Sequence, residues 1–328
     1  MDIKAKASFN DGIVREACHR YGLMTDELSF IGGFQNFIYA FQRNQSAYIL
    51  RFTPISLRTT AMVEAELEWL LYLSDNGVAV SKPIPSAHGR LVEVVQGADS
   101  FFNVVSFDKA PGQKSTYPDC LHDIRLFENC GRITGRMHKL ARDFHPLHKR
   151  HDWTYNDYLL NRTSFIPASQ AAVHDSCNRL MDDLKNLSHN ADSYGLIHGD
   201  INVGNFTVND GAITMFDFDE CQYSWFVEDI AIQLYYMVYV YGDDSIPERM
   251  LQCQRFMEPF MKGYLLESHI SDSEWRQIPL FLRLREIIVY TGMHRSFDMS
   301  KLDQWTTDFL TQSRIRIENE IPIIEGYF

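Results

Sequence analysis

Residues 196–219, LIHGDINVGNFTVNDGAITMFDFD, set oxygen-bearing side chains between short apolar runs. FTV and AITMF read as strands, and Asn209-Asp210-Gly211 between them is hairpin punctuation. Such a hairpin brings Asn205, just before the first strand, close to Asp217, just after the second, with Asp200 one short loop upstream. A carboxylate, an amide oxygen and a second carboxylate are hard ligands. They suit Mg²⁺, which takes a few protein oxygens and leaves room for phosphates and water. Asp and Asn most often only decorate loops, so no one of these residues is informative alone. The ordered set of H-G-D, an Asn at the fifth following position, a hairpin and D-F-D is not explained by turn chemistry.

The interval D-x-x-x-x-N is that of the protein-kinase catalytic loop, where the Asp receives or orients a hydroxyl and the Asn holds a metal. Asp217-Phe218-Asp219 then falls where the kinase D-F-G would be. HGDINVGN followed by FDFDECQYSWFVEDIA resembles the aminoglycoside phosphotransferase/choline kinase family, protein-kinase-like enzymes acting on small molecules. That family includes homoserine-kinase-like and spore-coat-kinase-like bacterial members. The resemblance covers most of the chain, densest over 195–235, thinner over 30–85 and sparse after 240.

The resemblance implies a bilobal protein-kinase-like α+β fold, with a small β-rich N-lobe and a larger, mostly helical C-lobe. It implies Asp200 as catalytic base or orienter of the acceptor hydroxyl, and Asn205 and Asp217 as Mg²⁺ ligands. His198 would hold the loop by packing and hydrogen bonding. Asp229 would be the buried brace of the catalytic loop, with a dipole-favoured carboxylate at a helix start as the alternative. Asp219 either touches metal or caps a turn.

A nucleotide such as ATP needs a phosphate cradle, a cation and an adenine slot. Gly32-Gly33-Phe34-Gln35-Asn36 lies between two predicted strands, and its N–H groups, around Gly33, could cap phosphates. It is not G-x-G-x-x-G. Tyr48-Ile49-Leu50-Arg51 takes the place of the kinase V-A-I-K strand, with Arg51 for Lys, and a planar fork binds phosphate differently from an ammonium. On the resemblance Arg51 serves the α/β-phosphates and Glu66 is its carboxylate partner, with Glu64 in reserve; solvated helix glutamates are the other reading. The connector around Val105, Ser106, Phe107 and Asp108 would offer backbone hydrogen bonds to adenine.

Positioning these groups takes a sheet and a set of helices. FIGGFQNFIYAFQRNQSAYILRF (30–52) reads as strand, turn, strand, with polar RNQS as the hairpin. Ala61, Ala65, Trp69 and Tyr72 share one face of a helix over 60–76, stopped by Gly77. RLVEVV and FFNVVSF add strands. After the Pro/Gly break at 108–113 the pattern turns helical, at 121–144 and then about 228–241, 247–266, 273–296 and 302–320. The expected domains are 1–107 and 108–328, with the boundary near Phe107.

At 328 residues the chain exceeds the usual single core. Its 45% apolar and 23% charged composition excludes disordered and fibrous classes. No apolar leader opens the sequence, and the run IAIQLYYMVYVYG is too short to span a bilayer. Six scattered cysteines without a C-x-x-C pair argue for reduced thiols, and hence for the cytoplasm. A net charge of −12 disfavours nucleic acid and anionic membrane as partners. Residues 108–328 carry 22 Lys+Arg against 32 Asp+Glu, which reads as solubility or, more sharply, as a field that would attract a cationic substrate.

The expected activity is therefore transfer of the ATP γ-phosphoryl group, with Mg²⁺, to a hydroxyl of a small and amine-bearing molecule. A protein Ser/Thr kinase is the first alternative, but only eleven residues separate Asp217 from Asp229 and no A-P-E follows. A non-catalytic pseudokinase scaffold is the second, resting on Arg51 and the irregular glycine loop. His145, His148 and His151 read as a surface basic turn, and Tyr235, Tyr236, Tyr239 and Tyr241 as helix core. Trp225, Glu228, Arg285 and Glu286 are candidates to face the acceptor, without a residue-level role.

Overall fold

Asn44 and Gln45 both take left-handed φ values, 51° and 65°, the conformation that a two-residue hairpin turn demands. They join strand β2 (Phe37–Arg43) to β3 (Ser46–Pro54) within the expected RNQS segment. The computed structural model describes residues 8–33, 35–98, 100–240 and 245–328. Phe34 of the glycine loop, Tyr241 of the aromatic run and the first seven residues lie outside the described residues.

Strand β1 (Ser29–Gly32) precedes that hairpin, and β4 (Pro83–Ile84), β5 (Glu93–Gln96) and β6 (Phe101–Asp108) follow it. They form a six-stranded antiparallel sheet in the order β1-β2-β3-β6-β4, with β5 also paired to β6. Residues 102–107 of β6 are all buried, as in a strand covered on both faces. Helix α1 (Asp11–Tyr21) starts at Asn10, whose side chain accepts the Gly12 N–H, and stops at Gly22 in the left-handed region. Its Ile13, Val14, Ala17 and Cys18 form one core with Leu50, Phe52, Val95, Phe102 and Val104 of the sheet. Helix α2 (Thr60–Asp75) is capped by Thr59 and buries Val63, Leu67, Trp69, Leu70 and Leu73 together with Glu66.

These elements belong to the first of two compact units, the chain up to Gly112 together with Phe144–Arg150 and Thr214–Asp219. Phe107, where the sequence places the boundary, is internal to β6, whose register continues to Asp108 opposite Tyr48. The unit's main segment ends in the Pro111-Gly112 break instead.

Gln113–Asp143, His151–Ile213 and Glu220–Phe328 make the second unit, which is mostly helical. It holds α3 (Ile124–Arg142) and α4 (Ala171–Lys185), then β7 (Tyr194–Ile197). β8 (Phe206–Asn209) pairs with β9 (Ala212–Met215) across a turn in which Asp210 and Gly211 have φ of 50° and 85°. β10 (Gln222–Trp225) pairs antiparallel with β7, from Gln222 opposite Ile197 to Trp225 opposite Tyr194. Helix α5 (Phe226–Tyr235) runs directly into a π-helical turn, Tyr236–Val240. Helices α6 (Ile246–Tyr264), α7 (Ile278–Ser296) and α8 (Gln304–Asn319) complete the unit.

All six cysteines are buried, and none is joined in a disulfide. Among the described residues no helix is long and apolar enough to cross a membrane.

Candidate active site

The catalytic loop is built in the second unit. β7 delivers the chain to His198, and Asp229 in the first turn of α5 receives it. Asp229 Oδ2 accepts the His198 N–H and Oδ1 accepts the Gly199 N–H, each at 2.9 Å. Gly199 has a φ of 80°, and a Cβ there would lie 2.4 Å from the Glu220 carbonyl oxygen, so only glycine fits this bend. His198 is buried, and its Nδ1 accepts the Asp200 N–H at 3.3 Å.

Beneath the loop, His138 Nε2 lies 3.3 Å from Asp229 Oδ2, and its Nδ1 lies 3.0 Å from the Tyr264 hydroxyl. Burial pushes the Asp229 carboxyl up, but the His138 hydrogen bond and the Gly199 N–H hold it below the ordinary carboxylate range. Burial holds His138 below the ordinary imidazole range. The brace is thus an ionised carboxylate against a neutral imidazole.

Asp200 is one residue past that brace. Asn205 Nδ2 donates to both the Asp200 carbonyl oxygen and Oδ2, each at 2.8 Å. Asn202 tightens the loop: its Oδ1 accepts the Gly204 N–H at 2.8 Å and its Nδ2 donates to the Asp200 carbonyl at 3.1 Å. Because the Asn205 nitrogen is committed to Asp200, its side-chain oxygen is the group left for a cation. Arg285, on α7, donates through Nη2 to Asp200 Oδ1 and to the Tyr236 hydroxyl.

The first unit gathers other residues singled out in the sequence. β3 and α2 bring Arg51 and Glu66 together as two parallel bonds, Nη1 to Oε1 and Nη2 to Oε2, each at 2.7 Å. Glu66, not Glu64, makes this pair. Burial works against the Arg51 charge, but Glu66 and then Asp219 and Asp217 keep it above the ordinary arginine range. Arg51 Nε is buried with no hydrogen-bond partner, and its guanidinium lies 5.1 Å from the Phe107 ring centre.

Asp217 is exposed, at a φ of 64° that a non-glycine residue rarely adopts. Asp219, two residues on, is buried and serves as an anchor. Asn36 Nδ2 donates to its Oδ2 at 3.0 Å, and Arg58 Nε lies 3.4 Å from its Oδ1. Its carbonyl oxygen accepts from Arg58 Nε at 3.2 Å and from Arg150 Nη2 at 2.5 Å. Burial raises the Asp219 carboxyl, and Arg58, Arg51 and Arg150 more than reverse it. Asn36 also ends the glycine loop: a Cβ on Gly33 would sit 2.0 Å from the Asn36 carbonyl oxygen, so the turn closes only around glycine.

Other residues fall elsewhere. Ser106 and Phe107 lie inside β6, with Leu50 and Ile49 opposite on one side and Ile84 and Pro83 on the other. Their backbone faces sheet neighbours, and the Ser106 hydroxyl is buried with no hydrogen-bond partner. Backbone clear of the ladder begins only after Lys109, whose N–H still donates to the Ala47 carbonyl at 3.0 Å, because β6 runs further than its sequence pattern suggests. Trp225 packs among Trp153, Tyr194 and Phe281 at ring distances of 5.2–5.6 Å. Glu228 is buried, accepting from Gln222 Nε2 at 3.1 Å and from the Ser224 hydroxyl. Glu286 is buried against Arg316 Nε at 3.0 Å. Tyr235 and Tyr239 are core, whereas Tyr236 is drawn to Arg285.

Sequence reading missed Arg58 and Arg150 altogether, since neither stands at a fixed interval from the residue it serves. Arg150 is buried although it lies beside the exposed His148. Among the described residues no three His, Cys, Asp or Glu side chains gather as a metal site.

A model of the phosphotransferase enzyme family matches residues 27–264, which include Arg51, Glu66, Asp200, Asn205 and Asp217. The chain belongs to that family. This phosphotransferase is 36% identical over 326 residues to amicoumacin kinase of Bacillus subtilis (strain 168), covering 98% of this chain and 96% of that one. It is similar to a solved amicoumacin kinase in complex with AMP-PNP, Ca²⁺ and Ami, with a TM-score of 0.91 and 32% identity over 99% and 98% of the two chains. A microcompartment-associated aminopropanol kinase shares the fold, with a TM-score of 0.75 and 22% identity over 95% and 98%. The phosphotransferase is a protein-kinase-like small-molecule kinase with an alcohol group as acceptor, as the H-G-D and D-F-D motifs led one to expect.

Proposed function

We propose that the protein transfers the γ-phosphoryl group of ATP, with Mg²⁺, to a hydroxyl of a small amine-bearing molecule, with Asp200 as base and orienter. The observation that carries this reading is the setting of Asp200. Its loop is braced through two backbone N–H bonds to Asp229, and its carboxylate is held in place yet remains 26% exposed. A carboxylate so held can accept a hydroxyl proton in line with transfer, an assistance of typically ~10²–10⁴-fold.

The donor set fits a hard divalent cation. The Asn205 amide oxygen and the exposed Asp217 carboxylate are oxygen ligands of the kind that Mg²⁺ shares with phosphates and water. Such a cation, when bound, neutralises charge on the transferred phosphoryl group. The Arg51 fork, held by Glu66, keeps an unpartnered buried Nε that suits a phosphate oxygen. The N–H groups around Gly33 would cap phosphates, and the adenine would lie near Ser106 and Phe107, its backbone contacts coming from the connector after Lys109.

Amicoumacin is the acceptor to test first, because the amicoumacin kinase relative matches nearly end to end. An amine on the acceptor fits the acidic second half of the chain, although Asp200 itself already carries a guanidinium. Six buried cysteines with no disulfide among them fit the cytoplasm as the place of action.

The test is Mg²⁺-dependent ADP release from ATP against amicoumacin, amino alcohols and aminoglycosides, with Asp200→Ala as control. Stimulation of the wild type alone supports the reading and names the acceptor. Equal stimulation of Asp200→Ala would remove Asp200 from the chemistry.

A further inference from the structure

The catalytic loop Asp200-Ile201-Asn202-Val203-Gly204-Asn205 contains no basic residue. Asn205 holds one carboxylate oxygen of Asp200, Oδ2, at 2.8 Å. A carboxylate held at one oxygen still turns about its Cβ–Cγ bond. The second oxygen, Oδ1, is held from 85 residues away by Arg285 Nη2.

Resting on the assignment of Asp200 as base, we infer that Arg285 is a positioning residue for phosphoryl transfer. It fixes the carboxylate plane, so that one set of lone pairs is presented to the acceptor hydroxyl. Arg285 lies outside the residues 27–264 that match the family.

The guanidinium is placed by more than its salt bridge. Its Nη2 also donates to the Tyr236 hydroxyl at 2.6 Å, and its carbon lies 5.0 Å from the Tyr236 ring centre. Nη1 reaches the Gly199 carbonyl oxygen at 3.5 Å, on the residue that Asp229 braces. Arg285 is 8% exposed against 26% for Asp200, so the cation is the sheltered partner and the carboxylate the accessible one. Tyr236 opens the π-helical turn at the end of α5. Such turns recur at functional sites because they re-aim side chains that a regular helix would point elsewhere. Arg285, Tyr236 and Asp200 therefore act as one rigid group, with Arg285 touching Asp200 and not the reacting atoms.

Steady-state kinetics on Arg285→Met, Arg285→Lys and Tyr236→Phe separate this role from a merely structural one. Met fills the volume without charge. The expected result is a fall in kcat on the order of 10–100-fold, as for small misplacements of a reacting group, with the KM for ATP unchanged. Lys restores part of that kcat. Tyr236→Phe keeps the ring and loses less, and its effect disappears in the Arg285→Met background, because it acts through Arg285. Guanidinium ion added at low concentration to Arg285→Ala recovers turnover.

Full kcat in Arg285→Met would overturn the inference, as would a loss confined to the acceptor KM, which would make Arg285 a binding residue. Should Arg285→Met fail to fold, Tyr236→Phe decides alone: reduced kcat at unchanged KM supports the inference, and unchanged kcat ends it. Asp200→Ala run in parallel keeps the two readings apart. If it retains activity, the base assignment itself is lost; if it is inactive while Arg285→Met is not, only the positioning role is lost.

Discussion

Each unit of this phosphotransferase buries an arginine against a carboxylate, and the two pairs are built differently. Arg51 and Glu66 meet fork to fork, with side chains 4% and 1% exposed. Arg285 meets Asp200 through one nitrogen, and the carboxylate keeps 26% of its surface. In the first pair the carboxylate is consumed: its whole use is to hold a guanidinium still. In the second the guanidinium is the holder, and the carboxylate keeps a face for something else. The two pairs thus differ in which member stays accessible: neither in the first, the carboxylate in the second.

The widest separation is expected in turnover. Asp200→Ala lowers kcat by about 10²–10⁴-fold while the urea midpoint moves little, because Tyr236 and the Gly199 carbonyl still accept from Arg285. Glu66→Ala strands a buried cation, which costs about 3–5 kcal/mol of stability, read from urea denaturation. If the two variants were equally unstable, the contrast between the pairs would be wrong.

Two neighbouring carboxyls on α5 sharpen the same point in pH. Asp229 is held low, whereas burial pushes Glu228 up to about 7 despite its bonds from Ser224 and Gln222. A carboxyl raised in the folded state adds stability only below its unfolded value, and that stability is lost as pH climbs through 7. Glu228→Gln removes the loss. Its stability relative to the wild type should grow between pH 5 and 8, by on the order of 3 kcal/mol, measured by denaturation at each pH. A pH-independent difference would place the Glu228 titration elsewhere.

The smallest effect belongs to His148, held above its ordinary value by Glu68 at 2.6 Å. A base raised in this way stabilises below its unfolded value and loses the contribution as pH rises past the folded one. His148→Asn should therefore lower the melting temperature slightly at pH 6 and not at pH 9.

What could be read from the sequence was what the chain keeps local. H-G-D-x-x-x-x-N, the hairpin turn and Asp229 lie within some thirty positions, so spacing alone assembles them. Arg51 and Glu66 were legible as a strand residue and a residue of the next helix. Arg58 and Arg150 were not, because a buried arginine that ties a distant carbonyl has no periodicity of its own. Arg285 was named without a role, since the helix pattern around it says that it is buried and nothing of what it meets. Ser106 and Phe107 were read as connector because strand ends are set by cross-strand partners, and these, Leu50 and Ile49, lie far upstream in β3.

The buried cysteines carry a practical consequence. Burial pushes the Cys120 and Cys177 thiols up to about 11 and Cys253 up to about 12, and raises Cys18 and Cys130 as well. Alkylating reagents attack the thiolate, so the native enzyme should ignore them until a segment comes loose. Cys18, Cys130, Cys177 and Cys253 sit one each on α1, α3, α4 and α6. The order in which they take up label under mild denaturant is therefore a record, written by the chain itself, of which helix lets go first.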